Sequence, residues 1–282
     1  MTALPTALAE PEAELAPIAS LAMYDWPQLQ AANDSLWAAI ADRLEARGLR
    51  VPNCLTRDAD LQAVWTSPAL LLGQTCGYPL VTQLGEHVQL VATPRYRAEG
   101  CEGPLRRSAI VVGADAPVQD LSQLRGARCA LNDWASDSGM NQLRAAIAPL
   151  AAGAPFFSAV IETGSHLASA EAVAAGAAGL AALDAVSYAH LRRLRPDVAQ
   201  RLRVLAWTAP TPGLPLVTAA STDAATLQAL REALEAVARD PSLAEARRRL
   251  LLDGFSLVSA ADYQLTQRLE EDARALGYPQ LA

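Results

Sequence analysis

A run of small polar residues, Ser136-Asp137-Ser138-Gly139, precedes a segment with helical spacing of apolar residues at Met140–Ala151. The first backbone N–H groups of a helix have no partner inside the helix, and the helix dipole adds positive potential there, so this position favours an anion. Serine hydroxyls add further donors. Serine and aspartate are also the usual N-cap residues, so an ordinary helix cap is the alternative interpretation.

A second polar loop, Thr163–Ser169, contains His166. An imidazole can donate from either ring nitrogen and gains charge near neutral pH, which suits it to an anionic ligand, although a structural hydrogen bond is the alternative. Asp184 ends the apolar strand predicted at 179–183, where a carboxylate without a partner is costly. We therefore expect Asp184 to meet either a protein donor or a ligand amine.

Composition excludes several classes of function. The 282-residue chain has a formal charge of -7 and its 23 basic residues are all arginine, so a Schiff-base or Walker lysine is excluded and nucleic-acid binding is not expected. The four cysteines lack paired metal spacing, so we expect no metal and no cofactor. No apolar run approaches the roughly 20 residues of a membrane span. Glutamates in the first 20 residues are not typical of a secretory signal, which predicts a cytoplasmic location as written, or a periplasmic one if a signal had been trimmed.

The length suits two α/β lobes of roughly 100 to 150 residues each. Strands that alternate with loops and helices indicate α/β lobes with largely parallel sheets. Apolar patterning predicts strands at Ile18–Met23, Ala69–Leu72, Val88–Thr93, Ser108–Val112, Ala127–Leu131, Val160–Glu162, Gly179–Leu183, Arg203–Trp207 and Leu216–Ala219. It predicts helices at Trp26–Arg47, Leu61–Trp65, Val118–Arg128, Met140–Ala151, Ser169–Ala175, Thr222–Ala238, Ser242–Leu251 and Ala260–Leu276.

Several short motifs occur together in a characteristic order: WTSPALLLGQTCGYPL, VATPRY, GCEG, the RS before IVV, DLSQLRG, ND with SDSG, TGSH, AALD and TPGLP. In this order, over roughly residues 20 to 220, the chain resembles the phosphate, phosphite and phosphonate substrate-binding proteins of ABC transporters. The resemblance implies a type II periplasmic-binding-protein fold, in which two lobes joined by two crossing strands close on a ligand.

We expect the crossings near Ser108–Val112 and Leu205–Ala209. The first lobe is then discontinuous, comprising 18–109 and 207–282, the second lobe spans 110–206, and residues 1–17 form a flexible leader. The resemblance implies a solute-binding protein without catalytic residues. Its expected partners are a small-molecule ligand and an ABC permease, and we expect a monomer. The ligand-binding residues it implies are Tyr24, Gln74, Thr75, Tyr78, Ser136, Asp137, Ser138, Gly139, His166, Ser169 and Asp184.

Two functional alternatives remain open at this stage. A cytosolic enzyme on the same fold, acting on a small carboxylic acid as in menaquinone or thiamine-pyrimidine biosynthesis, would use His166 or Asp184 as a general base. A sensor that reports a metabolite through closure would differ only in its partner.

Asp137 stands where the family has a neutral hydroxyl. If its carboxylate faces the ligand, it repels a dianion, so we expect a monoanion or a zwitterion. If it turns away as a cap, phosphate-like dianions are permitted.

Overall fold

The computed structural model describes residues 15–282, so most of the predicted leader lies outside the described residues. Its strands are β1 Ile18–Ser20, β2 Leu70–Gln74, β3 Val88–Tyr96, β4 Cys101–Glu102, β5 Leu105–Arg106, β6 Ser108–Gly113, β7 Arg128–Leu131, β8 Ala159–Glu162, β9 Leu180–Asp184, β10 Leu202–Trp207, β11 Thr211–Pro212, β12 Leu216–Ala219 and β13 Leu252–Ser256.

The α-helices are α1 Gln30–Glu45, α2 Leu61–Thr66, α3 Gly77–Thr82, α4 Gln142–Ala151, α5 His166–Ala174, α6 Ala185–Leu194, α7 Pro196–Ala199, α8 Ala224–Arg239, α9 Ala244–Arg249 and α10 Ala260–Ala275. Short 3-10 turns cover Ala22–Tyr24, Leu121–Leu124 and Pro241–Leu243. A π-helical turn over Asp137–Asn141 leads directly into α4.

The strands form two large sheets, one for each lobe. The first has the order β1-β2-β12-β3-β13 and the second the order β10-β6-β9-β7-β8. The two-lobed α/β class is confirmed, but the sheets are mixed rather than largely parallel: parallel pairing joins β1 to β2, β7 to β8 and β7 to β9. The remaining neighbours are antiparallel. In the first sheet these pairs involve β12 and β13, which follow the return of the chain from the second lobe, and in the second sheet they involve β6, the first strand of that lobe.

Two passages of chain connect the sheets. Residues 97–107 lead from β3 to β6, and residues 208–215 lead from β10 back to β12. Within these passages β4, β5 and β11 pair as a small third sheet between the lobes. The crossings therefore lie just before Ser108 and just after Trp207, beside the predicted positions. We accordingly keep 18–109 with 207–282, and 110–206, as our proposed lobes.

Each lobe has its own apolar core. In the first lobe the aspartate that caps α8, Asp223, accepts from the N–H groups of Ala225 and Thr226, and the helix then buries an apolar face at 0–1% exposure through Leu230 and Leu234. In the second lobe the core is formed by the faces of β6, β7 and β9 together with α4 and α5. These cores hold the strand ends, and hence the loops that follow them, at fixed positions.

Helix α10 contacts both lobes. Its Tyr263 hydroxyl donates to the Gly213 carbonyl at 2.8 Å, in the second crossing. Beyond the helix, Tyr278 and Leu281 are 2% exposed within the core of the second lobe, and the Ala282 carbonyl accepts from Phe157 N–H at 3.0 Å. The end of the chain thus packs against the second lobe.

Some predicted elements differ from those observed. The helix expected over Val118–Arg128 is a single 3-10 turn, because Gly126 adopts φ of 77° and ends the element after one turn. Helix α6 and strand β13 were not predicted: α6 begins directly after Asp184 without a loop, and β13 follows α9 after two residues. Among residues 15–282, no helix combines the length and apolar character that crossing a membrane requires.

Candidate ligand-binding site

A cleft of about 590 Å³ lies between the loops of the two lobes. The first lobe contributes residues 22–28, after β1, with side chains from α2 and the start of α3. The second lobe contributes the loops after β7 and β8 and the end of β9. The four residues expected to converge all line this cleft: Ser136, Ser138, His166 and Asp184.

The serine loop acts both as a helix cap and as a cleft wall. Ser136 Oγ accepts from the Gly139 N–H at 2.9 Å, which is the N-cap bond of the π-helical turn. Ser138 Oγ lies 3.0 Å from His166 Nε2 and 3.4 Å from Ser136 Oγ. The capping interpretation of this motif is confirmed, and because the capping residue also lines the cleft, ligand binding by this loop stays a prediction.

His166 is the first residue of α5, which Ser165 caps through the Ala168 N–H at 3.1 Å. Burial lowers the pKa of His166 to about 4. At neutral pH the ring is therefore uncharged and offers hydrogen bonds at the cleft rather than the positive charge that the sequence suggested.

Asp137 does not face the cleft. It is 0% exposed, and its carboxylate accepts from Thr211 Oγ1 at 2.9 Å and from Asn141 Nδ2 at 3.1 Å. Arg106 Nη2 lies 3.3 Å from its Oδ2. The expectation that the Asp137 carboxylate faces the ligand is thus wrong: the carboxylate turns inward, where the buried guanidinium of Arg106 on a crossing strand gives it a charged partner.

Arg106 lies between two carboxylates just behind the cleft. It is 2% exposed, and its Nη1 is 3.1 Å from Asp184 Oδ2 while its Nη2 faces Asp137. We call Arg106, Asp137 and Asp184 the buried trio. Asp184 Oδ1 accepts from the Tyr24 hydroxyl at 2.8 Å and caps α6 through the Val186 and Ser187 N–H groups. Asp184 therefore meets protein donors, as one of its two expected alternatives required.

These contacts join the lobes at the base of the cleft. Tyr24 belongs to the first lobe and Asp184 to the second, and Cys76 Sγ of the first lobe accepts from the Asp137 N–H at 3.3 Å. All four cysteines are free thiols. Within residues 15–282, no group of three or more His, Cys, Asp or Glu side chains is placed to hold a metal ion.

The remaining predicted site residues lie behind the cleft surface. Gln74 Nε2 donates to Tyr96 Oη at 3.3 Å, Tyr78 donates to Glu270, and Ser169 Oγ lies 2.7 Å from Thr163 Oγ1. Thr75 is fully buried. Gly139 packs against Asn132, where a Cβ would lie 1.7 Å from Asn132 Oδ1, so its role is steric.

The sequence analysis did not single out several other residues that line the cleft: Asp25, Trp26, Leu61, Trp65, Cys76, Asn132, Asp133, Arg195 and Leu214. Trp26 and Trp65 were predicted only as the first and last residues of helices. Asp25 follows Tyr24 directly, and Asn132-Asp133 follows β7, so both stand at strand ends where ligands bind. For Asp25, Asn132 and Asp133, this position after a strand was the feature of the sequence that could have predicted their place in the cleft.

Stability should fall as the pH is lowered from 6.5 to about 4. Burial lowers the pKa of both His166 and His190 from 6.5 to about 4, so in this range the unfolded chain binds protons that the folded chain does not. Each histidine contributes a slope of up to about 1.4 kcal/mol per pH unit. Urea unfolding at pH 7 and pH 5 measures this loss.

Variants of the buried histidines test this pH dependence, and a variant of an exposed histidine is the control. His190→Phe and His166→Gln should each flatten the slope, while a substitution of the exposed His87 should not. An equal slope in all four proteins would contradict the assignment to buried histidines.

The fold and the site together describe a two-lobed α/β protein with a cleft between its lobes that polar and apolar side chains line. Residues 69–263 match the family model described as "ABC transporter, phosphonate, periplasmic substrate-binding protein". This match covers more than half of the chain, and the protein belongs to that family. A search of curated protein sequences finds no significant match.

Similar solved structures support the fold. A binding-protein component of an ABC phosphonate transporter, PA3383 from Pseudomonas aeruginosa, is 15% identical with a TM-score of 0.73, over 92% of this chain and 87% of that one. XAC2383 from Xanthomonas citri, solved with chloride ion, is 20% identical with a TM-score of 0.71, over 92% and 98%. PhnD1 from Prochlorococcus marinus, solved with methylphosphonate, is 14% identical with a TM-score of 0.68, over 87% and 94%.

The family assignment settles the broad role. The chain is a solute-binding protein of a family that serves ABC transporters, and the enzyme alternative is not favoured because the family consists of substrate-binding proteins. The family is a periplasmic one, which points to the periplasm rather than to the cytoplasmic location expected from the first 20 residues.

Proposed function

We propose that this protein binds a small anionic or zwitterionic solute in its interlobe cleft, closes on it, and delivers it to an ABC permease from the periplasm. The observation that carries the proposal is the convergence of Ser136, Ser138 and His166 on one cleft wall, opposite first-lobe residues 22–28. Hydroxyl donors at a helix start suit a negatively charged group. The family match supports the transport role.

The lobe contacts support closure as the binding mechanism. The two lobes are joined by two crossings and meet at the Tyr24–Asp184 hydrogen bond, so a ligand held between them adds contacts to both sides. A ligand that binds both lobes stabilises the closed state over the open one by its differential affinity. The relatives solved with methylphosphonate and with chloride ion show that similar folds hold anions, which supports a negatively charged group on the ligand here.

Ligand binding can be tested in two steps. Mass spectrometry of small molecules released from natively purified protein identifies a candidate solute, and titration calorimetry with that solute measures its affinity. Ser138→Ala should weaken binding about tenfold, since one hydrogen bond to a charged group is lost. Ser35→Ala is a matched control, because Ser35 is exposed on α1 and donates to the Ala31 carbonyl.

Three results would contradict the proposal. No solute binding from a broad metabolite panel would contradict the binding role, and equal affinity for both serine variants would contradict the site. Conversion of the solute into a product by purified protein would restore the enzyme alternative.

A further inference from the structure

The charges around the cleft restrict which solute it can hold. Each of three arginines at or behind the wall lies between two carboxylates. Arg106 faces Asp137 and Asp184. The other two are Arg57, which lies 2.6 Å from Asp25 and 2.7 Å from Asp34, and Arg195, which lies 2.8 Å from Glu171 and 2.9 Å from Asp197.

Among the residues that line the cleft, the carboxylates of Asp25 and Asp184 outnumber the guanidinium of Arg195. Asp133 adds a further exposed carboxylate among the lining residues. A fourth arginine, Arg249, is exposed at the rim and donates to the Gln28 carbonyl. Since like charges in a cleft with low-dielectric walls repel, a dianion is disfavoured twice as strongly as a monoanion, and a zwitterion has no net charge to be repelled.

The contacts of the buried trio show why the serine loop does not offset the excess of negative charge at the cleft. In the middle of that loop Asp137 donates its backbone N–H to Cys76 Sγ, and its side chain takes the Arg106 guanidinium. The Arg106 guanidinium is thus paired with carboxylates inside the protein and does not face the ligand. The loop still offers a ligand its serine hydroxyl groups and the helix dipole, and the neighbouring start of α5 adds the uncharged His166; these groups suit a single negative charge.

The opposite wall is apolar and aromatic. Trp26 and Trp65 line it, together with Met23, Leu61 and Pro27. The cleft measures about 590 Å³ while Tyr24 and Asp184 already hold the lobes together at its base. A one-carbon or inorganic anion would leave most of this apolar wall uncovered, whereas an aromatic or branched aliphatic arm would cover it.

Asp184 places a buried carboxylate at the base of the cleft. It is 2% exposed, and its Oδ2 is shielded from solvent and accepts no hydrogen bond, its close charged neighbour being Arg106 Nη1. A positively charged ammonium group on a ligand is attracted by this carboxylate without touching Oδ2.

We infer that the cleft selects a zwitterion with one negative charge, an ammonium group and a hydrophobic arm, of the kind an aromatic or branched α-amino acid presents, over phosphate-like dianions. The inference rests on the proposed solute-binding function and narrows it. The negative group meets Ser136 and Ser138, the ammonium meets the acidic wall, and the arm lies against Trp26 and Trp65.

Titration calorimetry at pH 8 with L-phenylalanine, L-leucine, L-alanine, phenylacetate, phosphate and methylphosphonate tests this inference. L-phenylalanine should bind at least about tenfold more tightly than L-alanine, which lacks the arm, and than phenylacetate, which lacks the ammonium group. Phosphate and methylphosphonate should bind more weakly than either amino acid with an arm.

A charge variant provides a second readout. Asp133→Asn should weaken L-phenylalanine about threefold and strengthen methylphosphonate by a similar factor, because it removes one exposed carboxylate from the wall. Asp115→Asn, an exposed acid away from the cleft, should change neither. Tighter binding of phosphate or methylphosphonate than of L-phenylalanine, or no binding of any amino acid, would overturn the inference. The proposed function would survive either result if another solute from the panel bound in the cleft.

Discussion

Replacing Arg106 with methionine is expected to lower the free energy of unfolding by about 3–5 kcal/mol. The substitution leaves Asp137 and Asp184 buried, at 0% and 2% exposure, without the guanidinium that lies 3.3 Å and 3.1 Å from their oxygens. Two uncompensated carboxylates in a buried site are costly because their charge has lost both water and its partner. Urea unfolding at pH 7 measures the change.

The control for Arg106→Met is Arg97→Ala. Arg97 also pairs with a carboxylate, Asp253, but its side chain is 79% exposed, so its loss should change stability by less than about 0.5 kcal/mol. A double variant, Arg106→Met with Asp137→Leu, should lose less stability than the sum of the single variants, because it removes the cation and one carboxylate together. Additive losses, or an Arg106→Met protein as stable as the parent, would contradict the role of the buried trio.

Gly139→Ala is expected to disrupt the serine loop. A Cβ at this position would lie 1.7 Å from Asn132 Oδ1 and 2.9 Å from Asn132 Cγ, so the loop after β7 must shift. Overpacking of this kind costs about 1–3 kcal/mol of stability. Displacement of both Ser136 and Ser138 removes two hydrogen bonds from the ligand, which corresponds to a loss of affinity of about a hundredfold.

Thermal unfolding and titration calorimetry with the co-purified solute measure both effects of Gly139→Ala. Gly85→Ala is the matched control, since its nearest non-local atom is the Leu80 carbonyl oxygen at 3.8 Å and a methyl group fits there. Unchanged affinity in a folded Gly139→Ala protein would show that the serine loop does not hold the ligand.

Local sequence determined much of this architecture. Apolar periodicity placed most of the strands and helices because an element buried on one face must repeat its apolar residues with the period of that element. One N-cap was visible as well: Ser136 is a small polar residue shortly before a helical pattern, and it accepts the Gly139 N–H. Ser165 was not predicted as a cap, because the helix expected from Ser169 begins at His166. The convergence of Ser138 and His166 followed from strand ends that meet at one edge of a sheet.

Other features depended on contacts between residues far apart in the chain. The orientation of Asp137 was decided by Arg106, 31 positions earlier, and by Thr211, 74 positions later, both on the crossing strands. Nothing in SDSG itself distinguishes a carboxylate turned to a ligand from one turned to a buried guanidinium. The aromatic wall was equally hidden, because Trp26 and Trp65 have the spacing of core residues and only the packing of the two lobes exposes them to the cleft.

The sequence by itself therefore determined the class of fold, the order of most elements and the residues that end strands at the cleft, since these follow from short-range periodicity and capping. The tertiary structure alone decided which charged groups remain available to a ligand. Coulomb interactions depend on distance and burial rather than on sequence separation, so the pairing of Arg57, Arg106 and Arg195 with two carboxylates each appears only once the chain has folded.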